Sequence, residues 1–88
     1  MTEAEARAAL ATSLAVGKIE RRIAAQPWET VAGGWRVPVS LKGWRFRLEP
    51  VAGGVRVVMS AVGGEPAAWI AAWVVPVRPV QHLRLTGV

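Results

Sequence analysis

Cysteine, aspartate, asparagine and tyrosine are all missing from this chain, and histidine occurs once, as His82. Each absence removes a chemistry. Without cysteine there is no disulfide framework, no thiolate zinc site and no cysteine nucleophile. One histidine with neither cysteine nor aspartate gives too few ligands for a metal centre. General acid–base catalysis usually needs a histidine or a carboxylate pair beside a cleft. The carboxylates here are Glu3, Glu5, Glu20, Glu29, Glu49 and Glu65, and no spacing among them forces a pair. Ser13, Ser40 and Ser60 stand in no nucleophile motif, and the glycine pairs match neither the P-loop nor the dinucleotide fingerprint. The expectation is a protein that is not an enzyme, with no cofactor, no metal and no small-molecule substrate.

Long hydrophobic runs are also lacking. The longest apolar stretch without a charge, Ala67 to Val77, is 11 residues, too short to span a bilayer. The first residues are acidic and alanine-rich, unlike a signal peptide. A soluble cytoplasmic protein with no membrane partner is expected. Arginine outnumbers lysine nine to two, and alanine, glycine, valine and proline are abundant, as a GC-rich prokaryotic genome produces. The scarcity of asparagine, cysteine and glutamine also fits a heat-adapted protein.

What remains is enough to fold. Of 88 residues, 52% are hydrophobic, which supports a single domain (1–88) with a modest core. The net charge of +5 favours anionic partners, nucleic acid or an acidic protein.

A near-repeat organises the chain: Val31-Ala32-Gly33-Gly34-Trp35-Arg36-Val37 returns as Val51-Ala52-Gly53-Gly54-Val55-Arg56-Val57. Each copy reads as a glycine turn launching a strand in the order apolar, arginine, apolar. Around the copies the period is two. Trp35, Val37, Val39 and Leu41 alternate with Arg36, Pro38 and Ser40; Trp44, Phe46 and Leu48 alternate with Arg45, Arg47 and Glu49; Val55, Val57 and Met59 alternate with Arg56, Val58 and Ser60. Such runs are half-buried strands of an antiparallel meander. The Val51 to Gly54 segment reads as a turn, and Gly33-Gly34 and Gly63-Gly64 suit the two central positions of a type I′ turn. Pro38 points to an edge or a bulge.

Before the repeat, residues 1–26 read as one long helix. Thr2 and Glu5 have capping-box spacing, and Pro27 stops the helix. At 100° per residue, Ala8, Ala9, Thr12, Ala15, Val16, Ile19 and Ile23 share one face, which is the expected core contact. Leu10 and Leu14 fall on a different stripe. Glu65 to Val75 reads either as a helix, with Pro66 in its first turn, or as a strand apolar on both faces; the meander rhythm favours the strand. Val80 to Thr86 alternates again. The fold class is therefore α+β: one long N-terminal helix on a four- to six-stranded antiparallel meander spanning 28–86, with strong bending or a barrel left open.

Val74-Val75-Pro76-Val77-Arg78-Pro79-Val80 is similar to the tail after the last strand in bacterial Sm-like RNA chaperones, and a helix followed by bent strands resembles their RNA-binding barrels. The family's internal glycine, first-motif aspartate and second-motif Lys-His pair are absent, so no site residue is carried over. With 65–75 helical, the order resembles the double-stranded RNA-binding domain, whose lysine-rich second helix start is replaced here by Glu65-Pro66-Ala67. A helix wrapped by a meander also resembles the cystatin-type arrangement, which hosts many functions. No family is assigned.

Arg36, Arg45, Arg47 and Arg56 share outward parity on three consecutive strands. Same-face neighbours lie about 7 Å apart along a strand and strands about 4.8 Å apart, so four guanidiniums fall in one patch. Guanidinium forks grip phosphate in pairs of hydrogen bonds. Lys42 at the adjoining turn, and Arg21 and Arg22 on the helix, extend the candidate nucleic-acid-binding set. The tryptophans fall on the opposite parity and are expected to build core rather than to stack on bases. Trp69 and Trp73, with Leu10 and Leu14, form the candidate protein interface of a homo-oligomer or partner complex. Two functions follow: a binding protein for nucleic acid or another polyanion, or an assembly or inhibitory protein, of phage or prokaryotic origin, working through tryptophan- and leucine-rich surfaces.

Overall fold

A computed structural model describes residues 1–13, 18–62 and 69–77. The period-two segments form five strands: β1 (Glu29–Val31), β2 (Gly34–Leu41), β3 (Trp44–Val51), β4 (Gly54–Ala61) and β5 (Trp69–Pro76). They make one antiparallel sheet in chain order, β1-β2-β3-β4-β5. Of the 65–75 segment, Trp69 onward is strand and 65–68 lie outside the described residues; the strand excludes the helix–three strands–helix order. Among the described residues the sheet is an open meander, with β1 and β5 as its first and last strands. Residues 80–86, 63–64 and His82 lie outside the described residues.

The first turn sits one residue earlier than the glycine pair implies, centred on Ala32-Gly33, while the Val51 to Gly54 turn is centred on Ala52-Gly53 as expected, with Gly33 at φ 82° and Gly53 at φ 75°. The turn with both central residues at positive φ is Lys42-Gly43, at 53° and 83°. Gly34 and Gly54 instead begin strands, where neighbouring backbone comes too close for a side chain. Pro38 behaves as expected. Trp35, Arg36 and Val37 face Leu48, Arg47 and Phe46, but Leu41 faces Trp44, so β2 bulges between Val37 and Leu41.

The single long helix is corrected to two short ones, α1 (Glu3–Ala11) and α2 (Lys18–Ala24), leaving a mostly β protein. The N-terminus of α1 forms as expected. The Glu5 N–H donates to Thr2 Oγ1 at 3.1 Å, and the Thr2 N–H donates to Glu5 Oε1 at 2.7 Å. That backbone N–H, then the Thr2 side chain, holds the Glu5 carboxyl below its usual range. The helix stops at Thr12, whose hydroxyl donates back to Ala8 O at 2.8 Å, while the Ser13 N–H bonds Leu10 O at 3.3 Å.

Folding back has a physical reason. A helix over 2–25 would be about 36 Å long. An eight-residue strand spans about 27 Å, so its ends would overhang the sheet. Two antiparallel pieces instead bring Ala6, Leu10 and Ile23 together, all fully buried. Leu10 is thus core. Ala8 and Thr12, expected to face the sheet, are exposed. Leu14, Ala15 and Val16 lie outside the described residues.

Two arginines tie the hairpin. Arg7 Nη1 donates to Ala24 O at 2.7 Å and Gln26 O at 2.8 Å, capping the end of α2. Its guanidinium also lies 4.5 Å over the Trp28 ring and pairs with Glu3 at 2.8 Å. Arg21 Nη1 reaches Ser13 O at 3.1 Å. Arg7→Met keeps an apolar stem over Trp28 but leaves two carbonyls unpartnered. It is expected to lower stability by about 2 kcal/mol in urea unfolding.

One face of the sheet is the core. Trp35, Val37, Phe46, Leu48, Val55, Val57 and Val75 all point to it, with the helices packed above. Trp28 closes the seam, its indole N–H donating to Ile23 O at 2.8 Å, its ring 5.7 Å from that of Trp35.

Candidate polyanion interface

The other face carries the arginines, because every core residue on β2, β3 and β4 forces its neighbour outward. Arg36, Arg45, Arg47 and Arg56 are all exposed there. The register makes Arg36 and Arg47 direct cross-strand neighbours, and Arg45 sits on β3 opposite the β2 bulge. A groove of about 380 Å³ runs between them. Arg36, Arg45, Arg47 and Ser60 supply its polar lining, and Val31, Val37, Pro38, Phe46 and Val58 its apolar part. Val58 is only 5% exposed although it lies on the outward side. Arg47 across the ladder and Arg56 on its own strand flank it, and arginine stems readily lie over apolar surface.

Adjacent like charges are unfavourable on a sheet face. Two glutamates offset them. Glu29 on β1 is opposite Arg36 and accepts from its Nε. Glu49 on β3 is opposite Arg56 and accepts from its Nη1 at 3.3 Å; its other oxygen lies 3.9 Å from Arg47 Nε. Arg47 also donates to Ala32 O at 3.2 Å. Arg45 has no such partner among the described residues. Four arginines against two glutamates leave a surplus of two positive charges on this face.

The glutamates were legible but are missed when the repeat is read from its valine. Extended two residues upstream, both copies begin with glutamate: Glu29-Thr30-Val31 and Glu49-Pro50-Val51. In each hairpin the glutamate and the arginine seven residues later face one another across the ladder. The repeat is therefore a hairpin closed by its own ion pair. Arg45 and Arg47 lie between the copies and have no counterpart glutamate inside them.

Other sequence candidates are dispersed. Lys42 is exposed in the β2–β3 turn but does not line the groove. Arg21 and Arg22 are exposed on α2, whose Ile23 packs into the core face, so they sit across the sheet from the four arginines. Leu10 is sealed inside the chain's own core and offers no docking surface. The Trp69 side chain and Leu14 lie outside the described residues. Trp73 is half-buried, and its indole N–H donates to Glu20 Oε2 at 3.1 Å. Glu20 is fully buried, and its Oε1 has no hydrogen-bond partner among the described residues.

Among the described residues no group of three or more histidine, cysteine, aspartate or glutamate side chains converges as a metal site. Nor is any helix there long and apolar enough to cross a membrane. No protein-family model, no curated protein and no solved structure matches this chain.

Proposed function

We propose that the protein is a non-enzymatic binding protein whose arginine face takes the phosphate backbone of a nucleic acid. The observation that carries this reading is the groove. It gathers three arginines, one without a counter-ion among the described residues, on a face with a surplus of positive charge. The chemistry fits a chain of phosphates better than bases. Phe46 is the aromatic residue of the groove lining, but it is 2% exposed and packed in the core, so it offers no face to a base and binding is through the backbone. Arg45 and Arg47 are the principal contacts, with Arg36 and Arg56 recruited from their ion pairs. Lys42 extends the track at one end. The competing reading, an assembly protein docking through tryptophan and leucine, is weakened because Leu10 and the Trp73 indole are used within the chain itself.

The test is binding to labelled single- and double-stranded DNA and RNA over a salt series. A surplus of two charges gives an expected log–log slope of about −2 for duplex DNA. Arg45→Ala with Arg47→Ala is expected to remove binding while the melting temperature stays within a few degrees, since both side chains are exposed. Unaltered binding by the double variant would sink the proposal. Binding to an acidic protein with none to any nucleic acid would redirect it to the other anionic partner.

A further inference from the structure

We propose that Glu29 and Glu49 are built-in counter-anions that compete with the ligand for the arginine face and restrict it to linked phosphates. This rests on the polyanion reading above. The two carboxylates occupy the guanidiniums of Arg36 and Arg56, and Glu49 also lies beside Arg47. Both arise from the same place in the two repeat copies, so the arrangement follows from the hairpin register.

The pairs are half-exposed and therefore weak enough to exchange. A single phosphate replacing one carboxylate swaps one anion for another and gains little. A backbone that first engages Arg45 and Arg47 presents its next phosphates beside Arg36 and Arg56. The glutamates are then displaced by groups already held nearby, which is the advantage of linked contacts. Glu49 touches two of the arginines and Glu29 one, so Glu49 is the stronger competitor.

The experiment compares the unaltered protein with Glu29→Gln, Glu49→Gln and the double variant. The probe is a 20-base-pair DNA duplex at neutral pH over a salt series, with melting temperatures recorded alongside. Each neutralised glutamate is expected to steepen the log–log slope by about 0.9 and to tighten binding roughly five- to tenfold near 0.1 M salt. Inorganic phosphate is expected to displace the duplex no better than chloride at equal ionic strength. If the unaltered protein binds, but Glu49→Gln leaves slope and affinity unchanged, this inference fails and the polyanion reading stands. Preferential displacement by inorganic phosphate overturns the requirement for linked groups. If the unaltered protein does not bind and the double variant does, the competition is upheld while the native function falls. If none of the four proteins binds, both readings are overturned.

Discussion

Gly34→Ala is expected to lower the melting temperature by roughly 20 °C, corresponding to about 4 kcal/mol or more for a domain of this size. The cause is close approach of two strands. A Cβ on Gly34 would lie 2.0 Å from Leu48 O and 3.1 Å from Glu49 Cα, both backbone atoms. Backbone cannot swing aside as a long side chain can, so β2 would have to move away from β3. That shift would pull Trp35 from Leu48, a pair in the centre of the core. The preceding glycine gives the control. Gly33 has open space around its would-be Cβ, and only its φ of 82° resists a side chain. Gly33→Ala is therefore expected to cost only about 1 kcal/mol. Thermal unfolding of the two variants side by side is the check. Equal losses would mean that the turn, not the strand contact, requires glycine.

Trp73→Phe is expected to cost about 3 kcal/mol, far more than the change in ring size implies, because it strips a fully buried carboxylate of its hydrogen bond. Glu20 Oε2 accepts from the Trp73 indole, and Oε1 has no partner among the described residues. A buried carboxylate is costly even when partnered, so Glu20→Leu is expected to be neutral or stabilising. In that background Trp73→Phe should cost about 1 kcal/mol, the ring contacts alone. Urea unfolding of the four proteins then gives a coupling of about 2 kcal/mol. Additive effects would show that Trp73 acts by packing and that Glu20 does not depend on its N–H.

Much of the sheet was readable from local pattern. Period-two alternation fixes which residues share a face, and for that reason the outward set Arg36, Arg45, Arg47 and Arg56 could be named without coordinates. The helical region was read wrongly for a related reason. Two apolar stripes on a helix, Ala8 to Ile23 and Leu10 to Leu14, look like a core face and a spare face. Periodicity carries no information about whether the chain turns back between them. Leu10 consequently passes from candidate interface to core. The Val51 to Gly54 turn already set Glu49 opposite Arg56, but the pairing of Arg36 with Glu29 became apparent only with the first turn placed at Ala32-Gly33. A turn displaced by one residue changes every cross-strand partner.

By itself, then, the sequence determined the strands, their inward and outward faces, the excess of positive charge and the poverty of catalytic groups. These are properties of spacing and composition, and each is set within a few residues along the chain. Tertiary structure decided the rest: the helical hairpin, the burial of Glu20 against Trp73, and the gathering of three arginines about one groove beside a bulge. Those depend on which distant segments meet. Such meetings are settled by covering the whole apolar face of the sheet and satisfying the buried polar groups together, not by any local stretch.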